Sequence, residues 1–156
     1  MKGIFDWLRT SVLKSKEIKD DQFAINALGA EPSLDYNAMA KEYKKTAASE
    51  MAIGDVMFIA MGQPLETNIS PEGMTAYKWK PESFEFLLTM VDEISRRVGK
   101  HSSFKSTVYK NGTIPSKYFS YYWYHETPII SLSCICSEIG KNKPDRIDVL
   151  LIVAPK

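Results

Sequence analysis

Residues 117–154 constrain the fold most, because apolar and polar side chains alternate along them with the period of a β-strand. A run of aromatics opens this stretch: Tyr118-Phe119-Ser120-Tyr121-Tyr122-Trp123-Tyr124. Side chains two residues apart share a sheet face. A turn at Glu126, Thr127 and Pro128 folds the run back on residues 129–137, which sets Phe119, Tyr121 and Trp123 beside Ile130, Leu132, Cys134 and Cys136. That face is a core. The opposite face displays Tyr122, Tyr124, Ser131 and Ser133, a tyrosine and serine composition that recurs on protein-binding surfaces.

Strand signals extend to either side. Residues 145–154 place Ile147, Val149, Leu151 and Val153 on one face. Asn111-Gly112 is a two-residue hairpin signal between residues 104–110 and 113–124, where Pro115 marks an edge. Residues 75–80 read as a strand with Tyr77 and Trp79 on one face, after turn chemistry over 68–73.

Helix signals precede most of these strands. Ile4, Phe5, Leu8, Val12 and Leu13 form a short amphipathic stripe. Asp35 suits an N-cap for a second helix carrying Tyr36, Met39, Ala40, Tyr43, Ala47 and Met51, interrupted at Gly54-Asp55. Residues 56–61 read as further helical turns, stopped by Gly62-Gln63-Pro64. In the clearest helix, Pro81 suits the first turn, Phe84, Leu87, Leu88, Val91, Ile94 and Val98 form the buried stripe, and Gly99 caps the end. The expectation is an α+β domain spanning residues 1–156, with an antiparallel sheet of four to five strands, mostly within 104–154, and about three N-terminal helices packed on one face.

The formal net charge of +1 argues against a protein that coats nucleic acid. No stretch approaches the roughly 20 apolar residues of a membrane-spanning helix. Residues 1–19 lack the continuous apolar core and small-residue cleavage site of a secretory signal, so the cytoplasm is the expected location. Phe5, Trp7 and Leu8 with Lys2, Arg9 and Lys14 have the make-up of an interfacial anchor, yet one short helix binds a membrane weakly, and packing onto the domain or a partner is expected instead.

Candidate chemistry is sparse. Cys134 and Cys136 share a strand face, where a disulfide would need distorted geometry. A closed zinc site wants four ligands, and only His101 and His125 could join them. His125 falls about 13 Å from Cys134 along the hairpin at ~3.4 Å per residue, which separates that pair as a dyad. Free buried thiols, with neither metal nor cofactor, are the expectation. His125 and Glu126 are adjacent and point to opposite faces unless the turn bends them together. The chain has no Gly-rich phosphate loop, Gly-x-Ser-x-Gly elbow or His-Glu-x-x-His helix.

Charge segregation says more. From Ile94 to His125 the chain carries Arg96, Arg97, Lys100, Lys105, Lys110 and Lys117 and no acid. Lys105, Lys110 and Lys117 on a hairpin edge would suit an acidic protein surface or, with neighbouring aromatics, single-stranded nucleic acid. The same lysines would also protect that edge from aggregation.

Ile53-Gly54-Asp55-Val56 through Met61-Gly62-Gln63-Pro64, followed by Tyr77-Lys78-Trp79, resembles the helix, Gly-x-Pro turn and Trp-containing strand of the small outer-membrane assembly lipoproteins and the β-lactamase-inhibitory protein fold. The resemblance implies a protein-binding role. It ends at residue 79, since strands follow directly in that family and residues 81–99 here are helical in pattern. The expected function is therefore a non-catalytic binding protein of inhibitor, immunity or adaptor type, using Tyr122, Tyr124, Ser131, Ser133, Lys105, Lys110 and Lys117 on an acidic protein partner. An enzyme without a short linear motif and a nucleic-acid-binding module are the alternatives, and self-association through a sheet edge is compatible with all three.

Overall fold

A computed structural model describes residues 32–111, 114–125, 128–137 and 146–155, without the side chains of 108–111 and 114–116. The expected helix over residues 4–13 lies outside the described residues, as do Gly112 of the hairpin signal and Glu126-Thr127 of the following turn.

The elements follow the order α1 (Tyr36–Tyr43), a 3-10 turn (Ala47–Glu50), α2 (Ile53–Met61), β1 (Glu66–Ile69), β2 (Thr75–Trp79), α3 (Glu85–Val98), β3 (Ser103–Asn111), β4 (Ile114–Trp123), β5 (Ile129–Ser137) and β6 (Arg146–Ala154). The strands form one six-stranded antiparallel sheet in the order β1-β2-β6-β5-β4-β3. The sheet is thus larger than the expected four to five strands, and α3 lies between strands in the chain instead of N-terminal to them. β1 escaped the sequence reading because all of its residues are exposed, so no apolar alternation marks it, and it is a strand by virtue of pairing with β2.

The second expected helix is shorter than its stripe implied. α1 ends at Tyr43, where the Thr46 hydroxyl donates to Tyr43 O at 2.8 Å, the Ser49 hydroxyl to Thr46 O at 2.7 Å and the Tyr43 hydroxyl to Ala48 O at 2.7 Å. Such side-chain bonds compete with helix continuation. Gly54 does not interrupt a helix; it lies in the first turn of α2, where a Cβ would collide with the Tyr77 ring and hydroxyl.

The core face of β4 and β5 is the expected one, but the register is shifted from the one that set His125 near Ile130: Trp123 lies opposite Ile130, Tyr121 opposite Leu132 and Phe119 opposite Cys134. All six side chains are buried, together with Cys136, Ile147, Val149 and Leu151 on the same sheet face. α3 covers this face with Leu87, Met90 and Ile94, and α2 covers the β2 end with Ile53, Val56 and Met57. The α3 stripe therefore centres on Leu87, Met90 and Ile94, with Phe84, Leu88, Val91 and Val98 on its flanks. The helix ends at Gly99, whose φ of +95° suits a residue without a Cβ. The freed Gly99 carbonyl accepts the Trp123 indole N–H at 3.0 Å, which ties the helix end to the core strand.

α1 sits on α3. The Tyr36 hydroxyl donates to Asp92 Oδ1 at 2.5 Å, Asn37 Oδ1 accepts the Lys100 N–H at 3.0 Å, and the Arg97 guanidinium lies 5.4 Å from the Tyr43 ring centroid. Burial, then the bond to Asp92, pushes the Tyr36 phenol up to about 12. Burial alone would raise Asp92, but the bonds from Arg96 and Tyr36 outweigh it and hold the carboxyl below its usual range.

Trp123→Ala is expected to cost about 3–5 kcal/mol in denaturant unfolding, as large buried aromatics do, whereas Tyr124→Ala, at a position 59% exposed, stays within about 1 kcal/mol. A raised folded-state pKa means that the Tyr36 contribution is complete below the unfolded value near 10 and is lost as pH climbs towards 12. Tyr36→Phe is accordingly expected to lose about 1 kcal/mol at pH 8 and to flatten the decline in stability between pH 10 and 12, which unfolding curves at the two pH values will show.

Candidate functional site

Strand alternation sends Tyr118, Ser120 and Tyr122 of β4, Ser131, Ser133 and Ile135 of β5, and Leu150 and Ile152 of β6 to the face opposite the core. None of the described helices contributes to the core from this side. Its centre is a hydroxyl cluster: Tyr118 Oη lies 2.9 Å from Ser133 Oγ and 3.3 Å from Ser120 Oγ, and the two serine oxygens are 3.1 Å apart. Burial raises the Tyr118 phenol, but hydrogen bonds with Ser120, Ser133 and Tyr122 favour its ionised form more, and the net direction is downward.

The residues expected to bind do not all meet here. Tyr122 is half-buried and faces Ser131 across the ladder. Ser133 is on the same face but only 6% exposed, shielded within the hydroxyl cluster. Tyr124 lies one residue past the end of β4, exposed, with its N–H donated to Ser102 Oγ at 3.0 Å. Lys105 projects from edge strand β3 on this face, its Nζ 5.8 Å from the Tyr122 ring centroid. Lys110 pairs with Pro115 near the far end of the β3–β4 hairpin. Lys117 is a correction. It shares the parity of Phe119 and so lies on the core face, 5% exposed, with Nζ 5.4 Å from the Phe119 ring. Period-two alternation forces that placement, and no continuous edge of Lys105, Lys110 and Lys117 exists on the outer face. The wider basic strip is also partly neutralised, since Arg96 and Arg97 pair with Asp92 and Glu93 at 2.6 Å each.

The sequence reading missed the aliphatic half of this face. Ile129, Ile135 and Leu150 remain 37–43% exposed beside the tyrosines. The period-two pattern of residues 117–154 carries them at the polar positions, which was the available signal.

The other candidates engage in structure. Cys134 and Cys136 are buried and not joined by a disulfide, with Sγ atoms 3.5 Å apart. Among the described residues no group of three or more His, Cys, Asp and Glu gathers as metal ligands. His125 is held by Ser102 Oγ at Nδ1 and Val98 O at Nε2, both at 2.9 Å, so Nε2 carries the proton and Nδ1 accepts from the hydroxyl when the ring is neutral. His101 stacks edge-on against Tyr121 and Trp123. A cleft of about 390 Å³ beside the end of α3 is lined by residues that include Met51, Ile53, Arg97, Val98 and Val153.

No protein-family model, curated protein or solved structure matches the chain. The resemblance carried by residues 53–79 stays local: α2 is followed by a turn at Gly62, whose carbonyl accepts the Trp79 indole N–H at 3.1 Å, and after β2 the chain enters α3. No described helix is long and apolar enough to cross a membrane.

The burial of both thiols predicts slow modification by a disulfide reagent in native buffer and rapid modification of two equivalents in denaturant. Fast native labelling would show that the core face opens at β5.

Proposed function

We propose that this protein is a non-catalytic binding protein of inhibitor, immunity or adaptor type, which engages a protein through the outer face of its sheet. The observation that carries this reading is the set of exposed aliphatic side chains Ile129, Ile135 and Leu150 on the face that also bears Tyr122 and the hydroxyl cluster, where no described helix packs. Leu150 and Ile135 are diagonal neighbours across β5 and β6, and Ile129 lies further along β5 past Ser131 and Ser133, so apolar and hydroxyl groups interleave along this face. Tyrosine adds contact area at low entropic cost. Lys105, beside Tyr122 at the rim, favours a partner with an apolar centre and an acidic border.

Tyr122→Ala and Leu150→Glu test the reading. Each is expected to weaken capture of the partner from an extract of the native host by at least about tenfold, as loss of an interface anchor does, while thermal unfolding stays close to that of the parent. Equal capture by the parent and both variants would remove the outer face from the interaction.

A further inference from the structure

A second surface stands apart from the outer face. Of the large hydrophobic side chains left exposed, Phe58, Ile59, Leu65 and Ile69 belong to α2, β1 and the link between them, and the last three are 71%, 64% and 73% exposed. α2 rides over β2, because Gly54 abuts Tyr77 at one end and Gly62 O holds the Trp79 indole at the other. β1 is the next strand out and ends the sheet. Thr67 lies opposite Tyr77 and Ile69 opposite Thr75, so Thr67 and Ile69 share the helix-bearing face yet extend beyond the helix that covers it.

Among the described residues β1 pairs on one side only, with β2. Ser70 N–H donates to Met74 O within the β1–β2 turn, and hydrogen-bonded and non-bonded pairs alternate along an antiparallel ladder. Asn68 and Glu66 therefore turn their backbone groups towards β2, and Thr67 and Ile69 turn theirs outward. An edge of this kind is a template for another strand unless charge protects it. β3, at the opposite edge, carries Lys105 and Lys110; residues 65–70 carry no Lys or Arg.

We propose that two copies of this chain pair β1 to β1, antiparallel, into one continuous sheet. The edge is self-complementary. A two-fold axis at Thr67 sets Thr67 against Thr67, with their outward backbone groups exchanging hydrogen bonds; Leu65, whose N–H donates to Lys78 O, turns towards β2 and lies outside the pairing. On the other face Glu66 meets Asn68, so the pairing opposes no like charges. Phe58, Ile59, Leu65 and Ile69 supply the exposed apolar area on α2, β1 and the link between them, and the quality of their packing, not area alone, sets the affinity.

Sedimentation velocity over roughly 1–500 μM tests this, with a monomer of 17.7 kDa and the expected species of twice that mass at the top of the series. Thr67→Pro removes an N–H that points to solvent in the single chain and is needed for pairing, so it should hold the protein monomeric throughout with an unchanged circular dichroism spectrum. Ile69→Lys should raise the dissociation constant at least tenfold, and it decides alone if Thr67→Pro fails to fold. A parent that stays monomeric at the highest concentration, or a dimer that survives Ile69→Lys, would overturn the proposal. Neither result bears on capture through Tyr122 and Leu150.

Discussion

Burial of one aromatic ladder under α3 organises the molecule. Phe119, Tyr121 and Trp123 stack down the core face of β4, with Tyr121 and Trp123 centroids 6.3 Å apart and Phe104 of the neighbouring strand 4.8 Å from Tyr121. Leu87, Met90 and Ile94 close over them without exposed surface. Aromatic side chains bring the largest apolar area per residue, so this layer dominates the driving force for folding. The Gly99 carbonyl and Trp123 indole then join the helix end to the strand end, and Ser102 N–H donates to Tyr122 O at 2.6 Å where β3 begins. α3 can therefore carry the chain from β2, near one side of the sheet, to β3 at its other edge.

The described helices pack on one side of the sheet and leave its other face and the outer edge of β1 without a described neighbour. The outer face keeps aliphatic side chains beside tyrosines and a hydroxyl cluster, while β1 extends beyond α2 and, among the described residues, pairs on one side only. Lys117 shows how strictly face is assigned. Its side chain is drawn into the core with Phe119 even though it is a cation, because a strand cannot turn one residue outward without a bulge. Its stem can pack as hydrocarbon while Nζ stays near an aromatic ring.

Much of the central sheet was legible in the chain. The alternation that set Phe119, Tyr121 and Trp123 against Ile130, Leu132 and Cys134 is a local pattern, and so is the stripe of α3 with Gly99 behind it. Tyr122 and Ser131 came out as neighbours for the same reason. Legibility failed where local pattern and tertiary context diverge. The apolar spacing through Met51 suggests a long helix, but hydroxyl bonds from Thr46 and Ser49 stop it at Tyr43. Gly54 looks like a breaker until Tyr77 is seen against it. The lysines of the basic run share a stretch of sequence without sharing a face.

By itself, then, the sequence determined the faces: which side chains of β4, β5 and β6 share the core face, where α3 starts its buried stripe, and that the cysteines pack inward together. These follow from periods of 2 and 3.6 residues, which the polypeptide geometry imposes on any chain. Only the tertiary structure decided the strand order, with β6 inserted between β2 and β5, the recruitment of β1 as an edge, and the exposure of Ile129, Ile135 and Leu150 on the outer face. Those outcomes depend on contacts between residues far apart in the chain, and no short-range period encodes which distant strand will supply a hydrogen-bonding partner.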